Sequence, residues 1–314
     1  MVASLSAPVA STGAGVAGGR QEAVMCVLPP ESMVGDWWDG LRESNHRRLE
    51  SRAAGEPEPY AALSAPVVQV VFTAAHALHQ PTTVRYLALE MFDRFVRLLF
   101  AQLRDYTRAG AGRDVSRSRQ WLRVLARTRS QTALRVMSCL QLASKLHRST
   151  QALSPASVQS FLRQMGQPFS RHSIMASERR VLKTIHFQFG VPACTYLQHL
   201  VGCLQQLAPC PDPSQLYSTA LAVLDLSFLS HHQVFPSALT AGPWHRRSIP
   251  TAAGCDQVKL SAAVLVCALF VLSDYQDGTS LALHRLTDLP MSEVEELART
   301  ILDVTGIVPA SSGT

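Results

Sequence analysis

The chain has 314 residues, of which 47% are hydrophobic and 17% are charged, and its 29 basic and 23 acidic residues give a formal net charge of +6. These values predict a globular protein of one large or two modest domains, with a mild basic excess that permits but does not require an acidic or nucleic-acid partner. The longest apolar run, residues 262–272, falls short of the roughly 20 residues that cross a bilayer, so we expect no membrane association.

The sequence predicts neither catalysis nor a cofactor. It contains no HExxH, no phosphate-binding loop, no nucleophile with a matching base and no paired carboxylates on one face. The seven cysteines form no CxxC pair, and His231 and His232 lack a third ligand at suitable spacing, so we expect no metal site. Most of the cysteines lie in apolar helical segments, which favours reduced, intracellular thiols.

Residues 1–58 are predicted to be a disordered N-terminal segment and linker. Residues 1–30 are rich in Ala, Ser, Gly and Val and carry hardly a charge. A short helix containing Trp37 and Trp38 is expected to dock onto the body of the protein. Residues 47–59 contain a glycine and two prolines and are predicted to be a linker.

From residue 60 onward the pattern is helical almost throughout. Residues 67–78 begin with β-branched side chains that could form a strand, but their alanine-rich second half favours a helix. Residues 84–99 carry an apolar stripe at i, i+3 and i+4 spacing and predict a second helix. Residues 104–129 are predicted to be an arginine-rich insertion.

The stretch 134–147, LRVMSCLQLASKLH, is apolar almost all round a helical wheel and predicts a helix at the centre of a domain. Its narrow polar stripe consists of Arg135, Ser138, Gln141 and Lys145. Lys145 stands at the end of this core helix, where its charge requires a partner or a route to water.

The remaining helices suggest two similar modules. Ser154 and Pro155 form a helix start, Gly166 ends that helix, and a fifth helix follows at about 173–185. Four more helices are predicted in the second half, at about 194–207, 214–230, 257–273 and 291–304. The segment 258–272 is again apolar nearly all round, as the first central helix is. Residues 307–314 are predicted to be a disordered tail.

Three motifs in order resemble the cyclin box. Residues 91–95 (MFDRF) resemble its xxDRF element, residues 142–145 (LASK) its LASK element, and residues 177–187 its E...VLKxLxF element. The arginine-rich insertion and the ending VLKTIHFQF are similar to a meiotic branch of cyclin-like proteins. The resemblance implies an all-α, cyclin-like fold, with one clear five-helix cyclin box at 59–191 and a degenerate second cyclin-like helical domain at 192–306.

The resemblance also implies a partner-contact site. Lys145 and Glu178 correspond to the lysine and glutamate that in cyclins pair with each other and contact the kinase, and Leu142 and His147 lie beside Lys145 on the same helix end. Two features depart from the family. The substrate-docking residues are replaced by Leu63, Ser64 and Val70, and the acidic residues after LASK are replaced by His147 and Arg148.

The function implied by the resemblance is non-catalytic regulation of meiotic recombination, promoting crossover designation and maturation. The chain would bind a cyclin-dependent kinase or act as a scaffold for recombination factors. The expected partners are such a kinase, meiotic crossover and mismatch-repair-type recombination proteins, and crossover regulators of the ubiquitin-ligase type. The expected location is the nucleus, on meiotic chromosomes, with the cytoplasm as a second location.

The arginine-rich insertion leaves an alternative open. Ten arginines and only two acids lie between Arg97 and Arg135, and Trp121 is available to stack on a base. A basic patch is predicted at Arg117, Arg119, Arg123, Arg127 and Arg129. It favours either a solvated loop without a ligand or a transcription or nucleic-acid adaptor of cyclin fold.

Overall fold

A computed structural model describes residues 31–53, 63–109, 122–123, 126–147, 152–208, 212–235, 256–272 and 275–307. The disorder expected for residues 1–30 and 308–314 lies outside this range, as do Arg117, Arg119 and Arg148. The regular structure of the described residues is helical, and none of these helices is long and apolar enough to cross a membrane.

The helices are α1 (Glu31–Ala53), α2 (Ala65–Ala77), α3 (Thr82–Ala109), α4 (Thr132–Leu146), α5 (Pro155–Gln164), α6 (Arg171–Thr184), α7 (Ala193–Leu207), α8 (Pro213–Leu229), α9 (His231–Val234), α10 (Gln257–Val271), α11 (Asp277–Thr287) and α12 (Met291–Thr305). A further helical turn covers residues 126–130, just before α4.

The first module is built around α4, as its sequence predicts. The helices α2, α3, α5 and α6 all pack against it, and every residue from 136 to 144 is buried. The apolar stripe of α3 faces this core through Phe92 and Phe95, which are 4% and 1% exposed. A helix that is apolar almost all round can be stable in water only when neighbours cover it on all sides.

The local signals at the helix ends are confirmed. Ser154 Oγ accepts a hydrogen bond from the Ser157 N–H at 3.1 Å at the start of α5, and Pro155 occupies the first helical position. Gly166 has φ +71°, a left-handed conformation that stops the chain from continuing as a helix.

The second module repeats this arrangement around α10. The helices α7, α8, α11 and α12 pack against α10, whose residues 257–269 are buried with the exception of the half-buried Lys259. The sequence missed α11. That helix begins with Asp277 and Gly278, a pair typical of turns, so its sequence lacks a clear helical signal.

Helix α1 corrects the prediction of a disordered segment and linker over residues 1–58, since 31–53 form one continuous helix. Trp38 docks as expected: it is 3% exposed, and its Nε1–H donates to the Leu286 carbonyl at 2.8 Å. Asn45 Nδ2 donates to Asp256 Oδ1 at 2.9 Å, and Asn45 Oδ1 accepts from the Gln257 N–H at 2.8 Å. These anchors come from the second module, so the local sequence does not reveal them.

Helix α3 corrects the insertion boundary, since it continues through residues 104–109, where the insertion was expected to begin. The helical turn at 126–130 lies within the second part of the expected insertion, for which the sequence left a helix open.

Polar contacts join the two modules. Arg85 Nη2 donates to both carboxylate oxygens of Asp225 on α8 at 2.7 Å, and the Tyr86 hydroxyl donates to the same carboxylate. Burial raises the pKa of Asp225, although the neighbouring Arg85 opposes that shift. On α1, Arg48 Nη1 donates to Glu90 Oε1 at 2.7 Å, and Glu90 is only 3% exposed. Both pairs are largely desolvated, which makes removal of one partner costly.

Gly190, between the modules, allows the Glu90 side chain to lie in this position. A Cβ at residue 190 would lie 2.5 Å from both Glu90 Cγ and Oε1. We therefore predict that Gly190→Ala displaces Glu90 from Arg48 and lowers the free energy of unfolding by about 1–3 kcal/mol. Urea denaturation followed by circular dichroism measures this change.

The matched control is Gly40→Ala on α1, where an added Cβ meets nothing within 4 Å. Alanine in a helix interior is roughly 1 kcal/mol more favourable than glycine, so this variant should be more stable. Equal unfolding midpoints for the two variants would contradict the proposed clash.

Gln141 departs from the predicted polar stripe of α4. It is 0% exposed, and neither polar atom of its side chain has a hydrogen-bond partner among the described residues. Burying an unsatisfied amide costs free energy that an apolar side chain of similar size does not. We predict that Gln141→Met raises the free energy of unfolding by about 1–2 kcal/mol in the same denaturation assay, and a loss of stability would show that the amide is satisfied.

Candidate functional site

The candidate site lies where the exposed end of α4 meets α6. Polar contacts nearer the start of α4 fix the position of α6 along α4. Ser138 Oγ lies 2.7 Å from Ser177 Oγ, and Arg135 Nη1 donates to the same Ser177 oxygen at 2.7 Å. These contacts place the residue after Ser177, Glu178, within reach of the last turn of α4.

Lys145 and Glu178 form the ion pair that the resemblance implies, with Lys145 Nζ donating to Glu178 Oε1. The Lys145 side chain is 43% exposed and that of Glu178 is 13% exposed. A pair open to water on one side contributes about 0–1 kcal/mol to stability, well below the several kcal/mol of a desolvated pair. The pair therefore orients two charges at the surface more than it stabilises the fold.

The other two predicted contact residues lie in different environments. His147 is exposed just past the end of α4, and its backbone N–H donates to the Ala143 carbonyl at 3.0 Å. Leu142 is only 4% exposed, which corrects its assignment as a contact residue. Its side chain faces the core of the module because position 142 lies on the apolar side of α4.

The sequence missed the exposed apolar residues near this pair. Leu146 is 43% exposed beside Lys145, and Met175 is 46% exposed one helical turn before Glu178. Apolar side chains beside a charged pair are typical of a protein-binding surface. No periodicity in the sequence separates Leu146 from the buried leucines of α4.

Only part of the predicted basic patch is described. Arg123, Arg127 and Arg129 are all exposed. Arg127 lines a cleft together with residues of α3, α4 and α6, none of which belongs to the predicted patch. Arg123 and Arg129 do not line this cleft.

The residues at the substrate-docking positions do not form an exposed docking surface. Leu63 is 3% exposed and Val70 is half-buried, so of the three positions only Ser64, which precedes α2, is exposed.

The described cysteines are placed as core residues. Burial raises the pKa of Cys194 and Cys267 to about 12 and that of Cys203 to about 11, and it raises the pKa of Cys139 as well. These thiols stay protonated at neutral pH and are poor metal ligands. No group of three or more His, Cys, Asp or Glu within the described ranges could hold a metal ion.

Comparison with known proteins supports the cyclin motifs. The chain is 29% identical over 180 residues to mouse Cyclin N-terminal domain-containing protein 1, covering 56% of this chain and 53% of that protein. It is 25% identical over 247 residues to the human protein of the same name, covering 75% of this chain and 74% of that protein. The match thus spans about half the length of the mouse relative. No protein-family model matches the chain.

A solved structure confirms the predicted all-α, cyclin-like fold. The X-ray structure of a viral cyclin from herpesvirus saimiri superposes with a TM-score of 0.51 at 13% sequence identity. The superposition covers 83% of this chain and 96% of the viral cyclin, so the likeness extends well beyond the first module.

The exposure of the ion pair leads to a stability prediction. Lys145→Ala and Glu178→Ala should each lower the free energy of unfolding by no more than about 1 kcal/mol, and a double-mutant cycle should give a coupling energy below about 1 kcal/mol. Chemical denaturation of the four proteins provides the measurement. A coupling of 3 kcal/mol or more would show that the pair is desolvated and structural.

Proposed function

Because this chain is a cyclin-like protein by sequence similarity and by fold, we propose that it is a non-catalytic regulator that binds a cyclin-dependent kinase. The binding surface is the exposed end of α4 together with the adjoining face of α6. The cyclin fold suggests a kinase partner of this class in general, and the local geometry supports this choice of surface.

The observation that carries the proposal is the Lys145–Glu178 pair. Its two charges are already oriented by each other, so a partner that binds them does not have to immobilise two free side chains. Leu146 and Met175 provide apolar area beside the charges. The pair thus combines an oriented polar centre with apolar contacts, as specific protein interfaces do.

The surface also implies selectivity among kinases. Where cyclins carry an acid after LASK, His147 is exposed here, and it adds no negative charge beside Lys145. A kinase that offers basic side chains to that acid would lose an ion pair with this protein. The preferred kinase therefore presents neutral or acidic groups at this position.

For the biological setting, the proposal is meiotic recombination. Support comes from the sequence ending VLKTIHFQF and the arginine-rich insertion, which are similar to a meiotic cyclin-like branch. In this setting the protein would act in the nucleus on meiotic chromosomes and promote crossover designation and maturation. It would do so by directing a kinase to recombination factors or by holding those factors together as a scaffold.

The kinase route is tested with the purified full chain and a panel of cyclin-dependent kinases in a pull-down followed by biolayer interferometry. We expect one or more kinases to bind, and Lys145→Glu to weaken that binding at least tenfold because it places two carboxylates together at the centre of the surface. The matched control is Arg299→Glu, the same reversal of charge at an exposed position of α12 in the second module. It should bind as the parent protein does.

Circular dichroism should show that both variants remain helical, since the Lys145–Glu178 pair contributes little to stability. Failure to bind any kinase, together with capture of recombination proteins from meiotic extract, would replace the kinase route with the scaffold route. Capture of neither a kinase nor recombination proteins would refute the proposed function.

A further inference from the structure

A small cleft opens at the other end of α4, where the start of that helix meets α3, α6 and the helical turn at 126–130. Its volume is about 160 Å³. The floor is apolar and consists of Phe95, Leu99 and Leu103 of α3. Three arginines from three separate elements line its edge: Arg127, Arg135 and Arg180.

Arg135 is held in place by neutral groups. Its Nη1 donates to Ser177 Oγ at 2.7 Å, and its Nη2 donates to Gln131 Oε1 at 2.9 Å. Its Cζ lies 5.7 Å from the centre of the Phe95 ring. These contacts fix the orientation of the guanidinium group without neutralising its charge.

The three arginines repel one another. Burial and the charges of Arg180 and Arg127 all lower the pKa of Arg135, yet an arginine remains protonated at neutral pH. Among the residues whose side chains are described, which leaves out Asp105 of α3, no carboxylate forms an ion pair with any of the three. By contrast, Arg97, which lies between Phe95 and Leu99 on α3 but does not line the cleft, pairs with Asp93.

An anion in the cleft would relieve this repulsion. A phosphate group carries close to two negative charges at neutral pH and three acceptor oxygens, and guanidinium groups bind such oxygens in pairs. The cleft is too small for a run of nucleotides but has the scale of one phosphorylated side chain. Its apolar floor adds contact area for an aliphatic neighbour of that side chain.

We propose that this cleft binds a phosphorylated serine or threonine in an apolar segment of a partner protein. Arg127 and Arg180 provide positive charge at the exposed edge of the cleft. The guanidinium group of Arg135, which is already oriented, donates hydrogen bonds to the phosphate oxygens. The inference does not depend on kinase binding by Lys145 and Glu178. Lys145 lies ten positions after Arg135 on α4, about 15 Å along the helix axis, so the two surfaces are distinct but close enough for one partner to contact both.

The test measures fluorescence anisotropy with the full chain and a labelled degenerate peptide pool that contains a central phosphoserine or phosphothreonine among aliphatic residues. The same pool without phosphate is the reference probe. We expect the phosphorylated pool to bind at least tenfold more tightly. The double variant Arg127→Gln, Arg180→Gln should reduce this binding at least tenfold.

The matched control is the double variant Arg129→Gln, Arg179→Gln. It removes the same amount of charge from two exposed arginines that do not line the cleft. Arg129 lies two positions after Arg127, and Arg179 lies one position before Arg180. Its affinity should stay within twofold of the parent protein. All four arginines are exposed, so both double variants should keep the parent's melting temperature, which circular dichroism can verify.

A further variant, Arg135→Lys, retains the positive charge but lacks the planar guanidinium group. A several-fold loss of affinity for the phosphorylated pool would support the proposed role of that group. Equal weakening by the two double variants would overturn the proposal, because it would show binding by general positive charge. Displacement of the peptide by a single-stranded oligonucleotide at equal concentration would favour a nucleic-acid ligand instead. Equal affinity for the phosphorylated and unphosphorylated pools would also overturn the proposal.

Discussion

The fold depends on the burial of α4. A helix whose side chains are apolar almost all round loses the hydrophobic contribution of any face left in water, so neighbours must cover every side. Here α2, α3, α5 and α6 provide that cover, and the only charged residues of α4, Arg135 and Lys145, lie towards its two ends. Both candidate binding surfaces occur at these ends because the middle of the helix has no access to a partner.

The two charged ends of α4 differ in how their charge is satisfied. Lys145 pairs with a carboxylate, whereas Arg135 donates, within the described part of the chain, to the neutral oxygens of Ser177 and Gln131. A paired lysine presents an oriented but nearly neutral polar centre. An arginine fixed by neutral groups, with two further arginines nearby, presents concentrated positive charge. The first arrangement suits a protein surface of mixed polarity, and the second suits an anion.

The second module packs against the first module, which carries both surfaces, in one specific orientation. Its helix α10 is as thoroughly buried as α4, and α1 lies across it through Trp38 and Asn45. Largely desolvated polar contacts join the second module and α1 to the first module: Arg85 pairs with Asp225 of α8, and Arg48 of α1 pairs with Glu90. Such contacts require specific geometry, because a displaced charge would be left without a partner in a poorly solvated environment. These contacts therefore favour one relative orientation of the two modules over other orientations that would bury a similar apolar area.

The sequence by itself determined the helical class, the two central helices, the start and end of α5 and the cyclin motifs. Each of these depends on periodicity or on neighbouring residues along the chain, which a sequence displays directly. It also suggested the pairing of Lys145 with Glu178, through resemblance to a family. The full extent of α1 and the existence of α11 were not evident, because both depend on contacts with distant residues.

Only the tertiary structure decided which polar residues of α4 reach the surface and how strongly each charge interacts with its neighbours. Ser138 and Gln141 are buried although they belong to the predicted polar stripe, and Leu146 is exposed although it belongs to the apolar one. Arg127, Arg135 and Arg180 come from separate elements and meet only after the helices pack. Exposure and electrostatic environment depend on every neighbour in space, and most of those neighbours are remote in the chain.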